Sequence, residues 1–344
     1  MRGRPKFALV LQIFLGFLLI VGIVWYVGAH EIGHVLLRLD VMFLVYALAA
    51  YFFMNLLFAV RLKMVLKALG QKLGLKKILP VQYGGMLASD FTPARSGYFV
   101  VPLMLASEEI PLTVGLSSIL GIQSIEFLVK MMGGVFALIY LVQKFDLGMD
   151  LLIISSAGVG LMLVGAIIIF LAMWWKKAVD LLNVFEKVPF LGRLVTLVSK
   201  KITEFQVEAY RVKDAVIPIT SLTLVSWFVK GLEWYFIGLA LNITQISFMG
   251  FFLLHPLITA LSFVPITPSG IGFQEGGIVG VFYLLGVKAD VSVVFALLAR
   301  FLLVIEDVVG VPALSRAGVK VFEIVSNLKE KEVKQVQPGS MESP

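Results

Sequence analysis

The 344-residue chain has no cysteine, which excludes disulfides, thiolate metal sites and cysteine nucleophiles. Histidine is nearly as scarce, at three residues, and only 15% of the chain is charged. No Walker-type phosphate loop, Gly-x-Ser-x-Gly elbow or dinucleotide fingerprint occurs, and no stretch of these residues reads as a soluble catalytic domain. What fills the chain instead is apolar. A hydrophobic content of 59% and a mean hydropathy of +0.97 exceed what a soluble domain carries.

A bilayer core requires roughly 20 apolar residues per crossing helix. Phe7–Ala29, Met42–Val60, Val114–Val142, Leu151–Trp175, Ala215–Leu241 and Val291–Pro312 satisfy it. The first run is longer than the about 7–15 apolar residues of a cleaved signal, so it reads as an uncleaved anchor. The expected class is an all-α polytopic membrane protein.

The net charge of +7 is distributed by topology rather than gathered into a nucleic-acid surface. Arg2, Arg4 and Lys6 precede the first span; six bases without an acid occupy Arg61–Lys77; eight lie in Lys176–Lys213 and five after Pro312. Placed on one side, these are 22 of the 29 Lys and Arg. The positive-inside rule makes that side cytoplasmic, so both termini are expected inside a plasma membrane.

Two apolar stretches are left over, and parity requires each to enter and leave by one face. Ile78–Ala106 is interrupted by Phe91-Thr92-Pro93-Ala94-Arg95-Ser96-Gly97, and Phe248–Leu285 by Pro265-Ile266-Thr267-Pro268-Ser269-Gly270-Ile271-Gly272. Proline and glycine stop helices. We read six spanning helices plus two re-entrant broken-helix hairpins, in opposed halves that resemble an inverted repeat; two proline-kinked ordinary spans are the alternative. The expected organisation is a first membrane half (1–175) with hairpin 78–106 and cytoplasmic interfacial helices at 176–214. A second half (215–313) with hairpin 248–285 and a cytoplasmic tail (314–344), its end disordered, complete it.

Charge at the centre of a span costs about 2.5–3.5 kcal/mol, so each instance needs a partner or a use. Glu126 and Lys130 are four apart, Lys230 and Glu233 three apart, and Arg300 and Asp307 share a helix face two turns apart. Arg95 and Glu275 stand at or just beyond the breaks. The planar guanidinium fork of Arg95 suits phosphate or carboxylate; an Arg95–Glu275 or Arg95–Asp90 bridge pinning the hairpins is the structural alternative. Headgroup contacts are accordingly expected from Arg95, Thr92, Pro93, Gly97, Thr267, Ser269, Gly270 and Glu275. A supporting polar core is expected from Arg61, Asp90, Glu126, Lys130, Lys230, Glu233, Arg300 and Asp307.

His30-Glu31-Ile32-Gly33-His34 matches the HExxH zinc motif. A catalytic zinc takes three protein ligands, His255 is the one other histidine, and the string falls where the first span meets the surface. We therefore assign no cofactor, no metal and no catalytic residue.

Arg61 closing the second span, Gly84-Gly85 before Phe91–Gly97, Glu126, the Pro265–Glu275 segment and Arg300 follow in an order that resembles the lysylphosphatidylglycerol synthase transmembrane region, a flippase-like family. Two positions depart from it: Gly97-Tyr98 stands where the family often has Gly-Glu, and Glu126-Phe127 where it often has Glu-Arg. The resemblance implies a helical unit that handles membrane lipids: an anionic phospholipid or a polyprenyl-phosphate-linked sugar, with no nucleic-acid partner. A membrane enzyme, either a zinc protease or a lipid-carrier hydrolase, and a non-transporting scaffold for envelope or glycan assembly are the alternatives.

Overall fold

In a computed structural model the described residues are 4–93, 95–144, 212–261 and 267–318, with scattered positions between 149 and 210. Most of the expected span Leu151–Trp175, most of the interfacial pair at 176–214, and the tail beyond 318 lie outside them. The described residues are helical, with one isolated β-bridge. In chain order the helices are α1 (Arg4–Val27), α2 (Ala29–Leu37), α3 (Val41–Ala68), α4 (Leu75–Asp90), α5 (Val101–Ala106) and α6 (Leu112–Lys144). They continue with α7 (Lys177–Asn183), α8 (Val216–Ala240), α9 (Phe248–Leu261), α10 (Phe273–Leu284) and α11 (Ala289–Asp307).

Three unbroken stretches, Val41–Ala68, Leu112–Leu141 and Lys213–Ala240, are long and apolar enough to cross a bilayer. The six continuous spans expected from hydropathy are therefore not all present as such among the described residues. The first anchor bends by 84° between Phe17–Val27 and His30–Leu37. Gly28 makes the bend, because its φ of 100° is open to glycine and closed to most side chains. The last span, α11, carries Asp290, Arg300, Glu306 and Asp307, which set it apart from a plain apolar crossing. Large apolar side chains along α3, including Met42, Val45, Phe52 and Phe53, are exposed. In water such a surface would aggregate; in lipid it is at home.

α3 and α8 run antiparallel. The Asp40 amide, just before α3, donates to the carbonyl of Ala240 at the end of α8 (3.1 Å), and Arg61 near the far end of α3 reaches Thr223 near the start of α8. Asp40 also caps α3 by accepting from the Met42 amide at 3.0 Å. Small residues allow close packing of the kind that membrane helices use. A Cβ on Gly231 would press on Phe252, and one on Gly310 would overlap the backbone at Gly84. The pair Gly84-Gly85 is thus a crossing point, where α4 meets the turn after α11 on one side and Tyr98 and Val101 on the other.

The segment 78–106 leaves and returns at one end. Lys77 before it pairs with Glu108 after it at 2.8 Å, and Arg316 joins the same carboxylate at 3.2 Å. The hydrogen bond to Glu108 raises the pKa of the exposed Lys77 ammonium above its usual range. Three stretches of the basic sequence, around residues 61–77, 213 and 316, thereby gather at one end of the molecule.

Candidate functional site

The two breaks meet. Pro93 and Pro268 form the isolated antiparallel bridge, and the Ser269 amide donates to the Thr92 carbonyl at 2.9 Å. Each tip is built from its own residues first. In the first, the Thr92 hydroxyl donates to the Ala88 carbonyl (3.0 Å) and accepts from the Gly97 amide (2.6 Å). A Cβ at Gly97 would overlap that same Ala88 carbonyl, so glycine is needed there. Arg95 stands in the left-handed region with φ 55°, a conformation that costs a non-glycine residue about 1–3 kcal/mol unless its surroundings hold it. In the second tip, Ser269 (φ 46°), Gly270 (φ 67°) and Gly272 (φ 85°) turn the chain. The Thr267 hydroxyl donates to the Ile271 carbonyl (2.8 Å), and Glu275 caps α10 by accepting from the Gly272 amide (2.6 Å).

Beside the paired tips lies a cavity of about 160 Å³, with walls from α3, α4, α6, α8, α9, α10, α11 and the first tip. Five cationic residues line it, Arg61, Arg95, Lys130, Lys230 and Arg300, against two carboxylates, Glu126 and Glu275. Aromatic rings of Tyr51, Phe58, Phe99, Phe127, Trp227 and Trp234 share the lining, so the wall is at once cationic and apolar.

Two of the charge groups follow helical spacing. Glu126 holds Lys130 at 2.7 Å and, in addition, Arg61 at 2.9 Å; Lys230 reaches Glu233 at 2.6 Å. Arg61 is further fixed by Thr223 (2.9 Å) and by its stack over Phe58 (4.4 Å). Lys230 lies 4.7 Å over the Tyr51 ring.

Of the remaining pairs, those of Arg300 and Asp307 depart from the sequence reading, and that of Arg95 is one of the two bridges it named. Arg300 bonds Glu275 and Gln274 rather than Asp307, because α10 packs along α11 and presents both side chains. Arg95 bonds Asp90 at 3.4 Å rather than Glu275, whose carboxylate is taken by Arg300 and the Gly272 amide. Asp307 instead accepts from the Tyr51 hydroxyl, 3.0 Å from both its oxygens.

Of the expected headgroup contacts, Arg95 and Glu275 line the cavity, whereas Thr92, Pro93, Gly97, Thr267, Ser269 and Gly270 do not. The reason is that the two threonine hydroxyls bond their own tips and the small residues make the turns. Of the expected polar core, Arg61, Glu126, Lys130, Lys230 and Arg300 reach the lining; Asp90, Glu233 and Asp307 do not.

Several lining residues escaped the sequence reading. Gln82 accepts from the Tyr98 hydroxyl at 2.6 Å, and His255 meets Thr259 at 3.1 Å with the Trp234 ring edge-on at 4.9 Å. The one available signal was a polar residue inside an apolar run, as in Leu254-His255-Pro256. His30 and His34 are exposed on α2, their Nε2 atoms 2.9 Å apart. Among the described residues no group of three or more His, Cys, Asp or Glu converges as a metal site.

A family model described as the lysylphosphatidylglycerol synthase TM region matches residues 13–307. A UPF0104 membrane protein of Methanocaldococcus jannaschii is 29% identical over 226 residues, covering 64% of this chain and 88% of the relative.

Proposed function

The chain belongs to the lysylphosphatidylglycerol synthase transmembrane-region family and is an integral membrane protein; from that premise we propose that it binds a lipid or lipid-linked substrate by an anionic headgroup and passes it between leaflets. The observation that carries this reading is the excess of cations over carboxylates on the wall of a cavity beside two meeting breaks. Non-helical backbone is tolerated within a bilayer where protein or a water-filled chamber covers it, and two such breaks facing each other are a transporter arrangement. In this reading both hairpins are re-entrant, one from each face, and the basic end is cytoplasmic.

Arg95 is the headgroup ligand. It lies at the first tip, lines the cavity, and is tethered by one carboxylate at 3.4 Å, so a phosphate presenting two oxygens to its fork competes well for it. Arg61 and Lys130, both drawn to Glu126, widen the positive field. The aromatic part of the wall takes the first methylenes of the lipid tails. The test is exchange of a fluorescent anionic phospholipid between leaflets in proteoliposomes. Arg95→Ala is expected to slow exchange at least about tenfold, the equivalent of roughly 1.4 kcal/mol; exchange at the wild-type rate would remove Arg95 from the mechanism.

A further inference from the structure

Two carboxyl groups that headgroup binding does not use lie behind the first tip. Asp90 ends α4 and is 2% exposed; Asp307 ends α11 and is 0% exposed. Their carboxyl groups lie within interaction range of each other. Asp90 Oδ1 accepts from Arg95, whereas Asp90 Oδ2 has no donor among the described residues. Among the described residues the hydroxyl of Tyr51 donates to Asp307, 3.0 Å from both its oxygens, and its one proton serves one of them at a time. A hydrogen bond between two carboxyls requires a proton on one of them, and like charges buried side by side share it and titrate as a pair.

The surroundings decide how much charge the pair carries. Around it are Arg95 from the tip, Tyr51 from α3, Tyr83 from α4, Lys230 from α8 and Arg300 from α11, with Glu233 of α8 beside Tyr51 and Glu306 of α11 beside Tyr83. Lys230 is taken by Glu233 and Arg300 by Glu275, which leaves Arg95 to balance the pair. One proton between the two aspartates and one guanidinium beside them make that group neutral.

We propose that Asp90 and Asp307 form a proton-binding site coupled to the cavity: they hold one shared proton while Arg95 rests on Asp90, and take up a second from water when an anion draws Arg95 away. The second half rests on the headgroup reading given above; the shared proton does not. The consequence is that an anionic lipid enters the site together with a proton, so that a proton gradient can drive its exchange.

Two measurements separate the halves. Infrared difference spectra of the protein in nanodiscs near neutral pH are expected to show a protonated-carboxyl C=O band that Asp307→Asn removes. Absence of the band, or its survival in both Asp307→Asn and Asp90→Asn, overturns the shared proton. Calorimetric titration with short-chain phosphatidylglycerol, in buffers of different ionisation enthalpy, is expected to give uptake of about one proton per lipid in the wild type. In Asp90→Asn the uptake vanishes. Binding by the wild type without proton uptake overturns the coupling. No binding at any pH overturns the headgroup reading and leaves the infrared result to stand or fall alone. Where Asp90→Asn does not fold, the wild-type proton count and the band in Asp307→Asn still decide each half.

Discussion

The two tips that meet at Pro93 and Pro268 are held in opposite ways. At the second, Thr267, Ser269 and Glu275 are buried, and Arg300 bonds Glu275, the Gln274 amide oxygen (3.2 Å) and the Ser269 carbonyl (3.4 Å). At the first, Arg95 has a side chain 16% exposed and, among the described residues, one ion pair, at 3.4 Å. Each tip owns an arginine and a carboxylate, yet in one the cation is clamped and in the other it rests lightly. A clamped arginine serves the fold; a lightly held one is available to a ligand. In the proposed function the difference gives α10 and α11 a structural part and the first tip the headgroup contact.

Breaking the clamp gives the largest expected effect. Arg300→Ala leaves Glu275, 3% exposed, as a buried carboxylate without its cation, which costs about 3–5 kcal/mol. The midpoint of unfolding in detergent reads it; a loss below about 1 kcal/mol, the range of exposed ion pairs, would erase the contrast between the tips. Next comes the turn itself. Gly272→Ala forces a side chain into φ 85° against Leu19 of α1, an expected cost of about 1–3 kcal/mol. Gly286→Ala is its control, with a similar φ of 80° and open space around it; if both variants lose the same stability, contact with α1 contributes nothing to the second tip. Thr92→Val, of similar size, removes the hydroxyl on which the Gly97 amide and the Ala88 carbonyl converge, at about 1–3 kcal/mol.

What could be read from the chain follows the range of each interaction. The breaks were legible, because Thr-Pro followed by glycine acts on the local backbone. Glu126–Lys130 and Lys230–Glu233 were legible because helical spacing alone brings them together. Arg61 with Glu126 and Tyr51 with Asp307 were not, since their partners lie 65 and 256 residues away and are chosen by how helices cross. Arg300 shows the same limit more sharply. Its helix offers Asp307 on the same face, but α10 delivers Glu275 and Gln274 closer. The bend at Gly28 was missed for a different reason: the hydropathy of Phe7–Ala29 stays high through a glycine whose φ no apolar count records. Six of the eight expected headgroup residues lie off the cavity wall, because turn backbone claims the two threonine hydroxyls first and Pro93, Gly97, Ser269 and Gly270 shape the turns.

The smallest expected change in stability belongs to Arg95, and that smallness gives it diagnostic value. Its ion pair with Asp90 at 3.4 Å lies at the limit of a hydrogen bond, so Arg95→Ala is expected to cost about 1 kcal/mol in unfolding, the scale of a typical net hydrogen bond. The same change should weaken binding of an anionic phospholipid at least about tenfold, measured by titration in nanodiscs at low salt. Arg95→Lys sharpens the comparison, since an ammonium keeps the charge and loses the planar fork; it should recover part of the affinity for a singly charged phosphate and none of the geometry. Were Arg95→Ala to destabilise the protein as much as Arg300→Ala, both arginines would be clamps. The first tip would then have no cation to spare for a ligand.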